Sequence, residues 1–219
     1  MPVRVGLQYI DIWKSSMEEA VRRCEAEEAK TGQIVFYGPS NFTRWSARWD
    51  HTPLHEVIVG ASGKPCCINR GFGSSCAEHQ LYYYDRMVRP LKPAVLVYSP
   101  SFGNGKAMGY TKEENWELAQ RVLAYALTDF PDLRIYLEGS GVGPKTIETG
   151  GIPSVEEYNG WLQEFAASTP RCVYVDRFNY KPLRRTDIFV EDGVHYNQQG
   201  YDIYADFWRE ILKDELKNF

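Results

Sequence analysis

Short apolar segments alternate with longer amphipathic segments along most of this chain. Five of the short segments are bounded by glycine, proline or polar residues, as buried strands of a parallel sheet are. They comprise residues 34–37, 65–69, 94–99, 133–138 and 172–176. Because helical segments separate them, the pattern predicts an α/β fold with three α/β/α layers, built on a flavodoxin-like, five-stranded parallel sheet.

Amphipathic segments of the chain predict helices, which we expect over residues 16–30, 111–129, 154–168 and 198–216. Two of these helices begin with the spacing of a capping box, in which a hydroxyl residue precedes a glutamate by three positions. The pairs are Thr111 with Glu114 and Ser154 with Glu157. Gly32 suits a left-handed position at the end of the first helix.

The chain of 219 residues is long enough for one domain with a buried core. We expect this domain to span residues 32–219, with residues 1–31 as an N-terminal extension whose helix packs on it. A formal net charge of −4, without a basic cluster, argues against a nucleic-acid partner. The apolar runs are too short to cross a bilayer, and no basic segment followed by an apolar stretch opens the chain. We therefore expect a cytoplasmic protein without a membrane partner.

Cysteine and histidine spacing argues against a metal site. The five cysteines include no CxxC pair, and the four histidines form neither an HxH nor an HExxH pattern. We therefore expect no metal ion and no cofactor.

Ser40 is the first candidate for chemistry. It lies in the segment Gly38-Pro39-Ser40-Asn41, directly after the first predicted strand. Ligands of open parallel sheets bind beyond the carboxyl ends of the strands, where a serine can act as a nucleophile. By itself the same segment also reads as an ordinary turn.

Asp192 and His195 form the second candidate, in a loop before the last predicted helix. An imidazole can accept a hydroxyl proton near neutral pH when a carboxylate orients it and stabilises its charged form. The alternative is a solvated aspartate beside a histidine that caps the helix.

Three segments together resemble conserved blocks of one family. Residues 38–40, 69–74 and 192–201 are similar in order and spacing to the first, second and fifth blocks of the SGNH hydrolase superfamily. Residues 81–86 resemble its bacterial GDSL-like branch. The resemblance implies the SGNH fold and the hydrolysis of small carboxylic esters, such as short-chain acyl esters or acetylated carbohydrate. It implies Ser40 as nucleophile, His195 as base and Asp192 as the acid that orients it.

The resemblance also implies an oxyanion hole formed by the N–H groups of Ser40 and Gly73 and an asparagine side chain. Counting from Tyr98 without a gap places Phe102 at the asparagine position. Counting back from the start of the following helix, with a two-residue insertion, places Asn104 there. We favour Asn104, because helix starts tolerate slippage less than loops do.

Weaker candidates for substrate binding are Asn41, Arg70 and Phe102. For Arg70 we favour the alternative of a structural hydrogen bond or ion pair over contact with an acidic substrate.

Residues 99–105, where the resemblance implies the oxyanion asparagine, depart from the family's third block and leave two other functions open. One is a binding domain that keeps the hydrolase fold and has lost turnover, since a fold does not guarantee a function. The other is acyl transfer to an acceptor other than water, which the same residues would support.

Overall fold

The computed structural model describes residues 7–12 and 14–219. Within these residues, five parallel strands form one sheet in the order β2-β1-β3-β4-β5. The strands are β1 (Ile34–Gly38), β2 (Cys67–Gly71), β3 (Val95–Tyr98), β4 (Arg134–Glu138) and β5 (Cys172–Val175). This order is that of flavodoxin-like sheets, and the fold class predicted from the sequence is confirmed.

Helices precede, connect and follow these strands. They are α1 (Lys14–Ala26), α2 (Ser40–Thr43), α3 (Leu54–Val57), α4 (Ala77–Met87), α5 (Phe102–Ala107), α6 (Lys112–Asp129), α7 (Pro144–Glu148), α8 (Ile152–Ser168) and α9 (Gln198–Ile211). Short 3-10 turns occupy Ala47–Trp49, Arg89–Leu91, Lys181–Arg184, Thr186–Ile188 and Leu216–Asn218.

Successive side chains of each strand point to opposite faces of the sheet, which divides the core in two. Val35 and Tyr37 of β1 pack with α1, α4, α6 and α8, whereas Ile34 and Phe36 pack with α2, α3 and α9. The indole of Trp208 in α9 meets the Phe36 ring edge-to-face at 5.3 Å. Both faces of the sheet are therefore covered, as three layers require.

Two segments begin at different residues from those predicted. Strand β2 starts at Cys67 rather than at residue 65, because Pro65 has no N–H group for the ladder and forms an isolated bridge with Val59 instead. Helix α8 starts at Ile152, so the capping box predicted at Ser154 is wrong. Pro153 lies in its first turn, where its fixed φ favours the helix.

Two helices end earlier than predicted. Helix α1 ends at Ala26, before further glutamates that would meet the negative end of the helix dipole. Gly32 does have a positive φ of 74°, but it lies in the turn into β1. Helix α9 ends at Ile211, and Glu215 beyond it binds Arg134 and Tyr136. The capping box of Thr111 and Glu114 is confirmed.

Residues before β1 lie against α4 in the described part of the chain. Met17 and Val21 of α1 are fully buried in the core on the α4 side of the sheet. The proposed boundary between an extension and a domain, at residues 31 and 32, stays a prediction.

None of the helices in residues 7–12 and 14–219 has the length and hydropathy of a bilayer-spanning segment. The same residues contain no cluster of three or more side chains suited to hold a metal ion.

Candidate active site

Ser40 lies at the junction of β1 and α2. Strand β1 ends at Gly38, and Ser40 is the first residue of α2, so its N–H group has no acceptor within the helix. The end of β2 comes very close to α2. A Cβ atom at Gly71 would lie 2.4 Å from the backbone nitrogen of Thr43, so this position requires glycine.

Two side chains hold the short helix α2 in place. Asn69 of β2 donates from Nδ2 to the carbonyl oxygens of Phe42 and Trp45, at 2.7 and 3.3 Å. Its Oδ1 accepts from the N–H group of Gly71 at 2.9 Å. From α9, the Tyr201 hydroxyl donates to the carbonyl of Asn41 at 2.9 Å. Helix α2 has a single turn, and these side chains give additional partners to its Asn41 and Phe42 carbonyls and to the Trp45 carbonyl just after it.

A hydrogen-bonded chain links Ser40, His195 and Asp192. The Nε2 atom of His195 lies 2.8 Å from Oγ of Ser40, and Nδ1 lies 2.6 Å from Oδ2 of Asp192. The ionised carboxylate can only accept, so Nδ1 carries a proton and Nε2 accepts the hydroxyl proton of Ser40. Oδ1 of Asp192 accepts from the N–H groups of Val194 and His195, both at 2.9 Å. The structure thus brings the three residues together across 155 positions of sequence.

Arg44 is a further partner of Asp192, which sequence reasoning did not connect with it. Nη1 of Arg44 lies 3.3 Å from Oδ2, the same oxygen that accepts from His195. The guanidinium stacks over the Trp49 ring at 4.6 Å. The available signal was weak: Arg44 follows Ser40 by one helical turn, and its loop partner lies 148 residues away.

Burial and neighbouring charges shift the pKa values of the dyad. For His195, burial lowers the pKa, the hydrogen bond to Asp192 opposes this, and the positive charge of Arg44 lowers the pKa further; the net direction is down. For Asp192, burial raises the pKa, but hydrogen bonds from the backbone and ring of His195 outweigh it and bring the pKa to about 2. At neutral pH the dyad is therefore a carboxylate beside a neutral imidazole.

A cavity of about 620 Å³ opens beside Ser40. Its walls include segments at the carboxyl ends of four strands: residues 39–41 after β1, 99–102 after β3, 140–143 after β4 and Arg177 after β5. The wall residues of the last two segments were missed in the sequence. The rule that ligands bind beyond strand carboxyl ends would have found them.

The residues predicted for the oxyanion hole and for substrate binding differ in whether they line this cavity. Asn41, Phe102 and Asn104 line the cavity with Ser40. Gly73 does not line it, but open space lies where a Cβ atom of Gly73 would point.

Asn104, in α5 after β3, is hydrogen-bonded to the loop after β2. Its Nδ2 atom donates to the carbonyl of Ser75 at 2.9 Å, two residues after Gly73. The loop itself is anchored where the N–H group of Phe72 donates to the carbonyl of Gly38 at 3.0 Å. Ser74 in this loop has a φ of 62°, a left-handed conformation unusual for a residue other than glycine.

Arg70, a weak candidate for substrate contact, is not among the residues that line the cavity. The residue is 3% exposed and its guanidinium pairs at 2.7 Å with Glu27, just beyond α1. The charge is thus used to hold the segment after α1 against β2, which is the structural alternative that the sequence favoured.

Comparison with known proteins finds similarity in structure. No protein-family profile and no curated protein sequence matches the chain. A GDSL-like lipase from Bacteroides thetaiotaomicron superposes with a TM-score of 0.70 at 16% identity, covering 92% of this chain and 98% of that one. A lipase/acylhydrolase from Enterococcus faecalis gives 0.67 at 19% identity, over 84% and 97%. A family 3 carbohydrate esterase from Clostridium thermocellum gives 0.59 at 16% identity, over 86% and 98%.

The strand order and these superpositions define the fold of the chain. It is a three-layer α/β/α fold of the kind found in these GDSL-like lipases and acylhydrolases. The fold implied by the sequence resemblance is confirmed.

Proposed function

We propose that the protein hydrolyses carboxylic esters, with Ser40 as nucleophile, His195 as general base and Asp192 as the acid that orients it. One observation carries the proposal: an unbroken hydrogen-bonded chain from Asp192 through His195 to Ser40, beside a cavity large enough for a small ester. Such a chain is the arrangement that activates a serine hydroxyl.

The reaction proceeds in two steps. As Oγ of Ser40 bonds to the ester carbonyl carbon, its proton moves to Nε2 of His195 and the carbonyl oxygen becomes an oxyanion. The intermediate collapses, and the departing alkoxide takes the proton from His195. Water then attacks the acyl-enzyme by the same route, and the acid leaves while Oγ regains its proton.

Three donors are proposed for the oxyanion. The N–H group of Ser40, at the start of α2, donates to no other described residue, and the N–H group of Gly73 lies in the anchored loop after β2. Asn104 lines the cavity and uses one Nδ2 proton on the carbonyl of Ser75, which leaves its second proton for the oxyanion. Donors fixed before the reaction stabilise the developing charge without reorganising.

Short-chain acyl esters are the proposed substrates, with acetylated carbohydrate among them. The size of the cavity and the structural similarity to a carbohydrate esterase support this choice. We retain the cytoplasm as the proposed compartment, supported by the five free cysteines.

A fluorophosphonate probe tests the proposal, because it labels only an activated serine. Wild type should be labelled and should hydrolyse p-nitrophenyl acetate. Ser40→Ala and His195→Ala should lose labelling and lower kcat by about 10⁴-fold or more. Ser46→Ala is the matched control, because the hydroxyl of Ser46 lies near α2 and bonds the Thr43 carbonyl instead.

Folded wild type that shows neither labelling nor turnover would contradict the proposal and favour the binding-domain alternative. Labelling with transfer of the acyl group to an added alcohol, in preference to water, would favour an acyltransferase.

A further inference from the structure

The wall of the cavity beside Ser40 is positively charged, although the chain as a whole carries −4. Its cationic side chains are Lys106, Lys145 and Arg177, and none of the described residues that line it is acidic. Every charged side chain among these wall residues is therefore cationic.

The two lysines flank the cavity from different helices. Lys106 lies on α5, two residues after Asn104, is exposed, and makes no ion pair with any described residue. Lys145 lies in the first turn of α7, and its N–H group donates to the carbonyl of Gly193 at 3.0 Å. Gly193 belongs to the loop that carries His195, so the second lysine lies close to the catalytic loop.

Lys145 forms an ion pair that leaves its ammonium group accessible to a ligand. Its Nζ pairs with Glu148 at 2.9 Å, with the two side chains 52% and 68% exposed. Exposed pairs between neighbouring turns of a helix are weak and screened by salt. An anion in the cavity can therefore compete for this ammonium group.

Arg177 offers the cavity wall a hydrogen-bond donor, because its positive charge is already paired. It is 7% exposed and pairs at 3.5 Å with Glu138, which is 1% exposed, so its charge is balanced inside the fold. Its Nε atom is buried and has no hydrogen-bond partner among the described residues. A Cβ atom at Gly141 would lie 2.9 Å from this Nε, so the donor lies directly behind the cavity wall.

We propose that the natural ester is anionic, and that Lys106 and Lys145 bind an anionic group, such as a carboxylate, on its acyl or alcohol part. This inference rests on the proposed ester hydrolysis at Ser40. Both lysines are exposed wall residues whose ammonium groups act as point charges, while Phe102 and Val142 in the same wall suit the apolar part of the ester.

Matched pairs of esters test this substrate class. For the acyl side, p-nitrophenyl adipate is compared with p-nitrophenyl hexanoate, which has a methyl group in place of the carboxylate. For the alcohol side, 4-acetoxybenzoate is compared with its methyl ester. In one of the two pairs, kcat/KM should favour the anion by about tenfold at low ionic strength. High salt should reduce this preference, because the lysines are open to solvent.

Variants connect the preference to the lysines. Lys106→Gln and the double variant with Lys145→Gln should bring the ratio of anionic to neutral kcat/KM towards one. Lys64→Gln is the matched control, since it removes the same charge from an exposed lysine outside the cavity wall. The control should keep the ratio of the wild type.

The outcomes separate this inference from the proposed function. Equal turnover of anionic and neutral esters, or a preference that survives the double variant, would overturn the substrate class and leave ester hydrolysis standing. A protein that is labelled by fluorophosphonate but cleaves none of the four esters would also overturn the substrate class alone. Loss of both labelling and turnover would overturn the proposed hydrolase, and this inference with it.

Discussion

At the scale of single residues, the two carboxylate oxygens of Asp192 have different partners, and the site depends on both. Oδ1 is occupied by two backbone N–H groups, while Oδ2 faces both the ring of His195 and the guanidinium of Arg44. Arg44 contacts the same oxygen of Asp192 that orients the imidazole of His195. It therefore weakens the stabilisation that Asp192 gives to the protonated ring, and both this effect and its own charge favour neutral His195.

The pH profile is the residue-scale prediction. His195 must be neutral to accept a proton, so kcat/KM should rise with pH through the pKa of His195, which burial and Arg44 place below its usual value of about 6.5. Arg44→Gln removes one positive charge and should move this limb to higher pH. Measurement of kcat/KM from pH 4 to 9 for both proteins checks the shift. Arg48→Gln, an exposed arginine nearby, should leave the limb where it is.

An unshifted limb in Arg44→Gln would mean that the contact with Asp192 has no electrostatic effect on His195. A profile that stays flat across this range in wild type would contradict His195 as the base.

At the scale of elements, the nucleophile Ser40 lies on α2, a helix of one turn whose position depends on contacts with neighbouring elements. Helix α2 depends on Asn69 from β2, on Tyr201 from α9 and on the close approach of Gly71. Two of these contacts come from β2 and one from α9, so the placement of Ser40 depends on the packing of both elements against α2.

Asn69 provides the element-scale prediction. Asn69→Asp keeps the oxygen that accepts from Gly71 but loses the Nδ2 donor to α2, which leaves two carbonyls without that partner. Unfolding in urea should show a loss of about 1–3 kcal/mol, and kcat should fall as Ser40 loses its support. Asn69→Ala loses both sets of bonds without placing a carboxylate against these carbonyls, and it should also be less stable than wild type. Equal stability of Asn69→Asp and wild type would contradict the role of this clamp.

At the scale of the whole molecule, residues near the N-terminus are fastened to the helix that follows the loop of Gly73. The buried carboxylate of Glu78, in the first turn of α4, accepts from the N–H group of Tyr9 at 2.9 and 3.0 Å and from the hydroxyl of Tyr110. The neighbouring His79 contacts the carbonyl of Ile12 through Nε2 at 3.2 Å. Tyr9 and Ile12 are thus part of the same packed unit as the loop beside the site.

Glu78 provides the prediction at this scale. Glu78→Ala leaves the N–H group of Tyr9 and the hydroxyl of Tyr110 without this acceptor, and the free energy of unfolding should fall by about 1–3 kcal/mol. Glu78→Gln keeps one acceptor oxygen and should lose less. Urea denaturation of wild type and the two variants gives the order of their free energies of unfolding. If Glu78→Ala is as stable as wild type, the hydrogen bonds that Glu78 accepts from Tyr9 and Tyr110 contribute nothing to stability.

Sequence reasoning was most successful where the signal is local. Alternation of apolar and amphipathic segments predicted the parallel sheet, and the capping box at Thr111 located the start of α6. It was wrong at two boundaries set by a proline: Pro65 has no N–H group for the β2 ladder, and Pro153 favours a start of α8 ahead of Ser154.

The sequence by itself determined the layer architecture and offered Ser40, Asp192 and His195 as candidates, because strand alternation and short motifs act over a few residues. Only the tertiary structure decided that these three side chains form one hydrogen-bonded chain, and that Arg44 joins it. It alone assigned Arg70 to an ion pair and Lys106 and Lys145 to the cavity wall. Such contacts depend on how loops at the carboxyl ends of separate strands converge, and that convergence is set by the packing of the whole sheet.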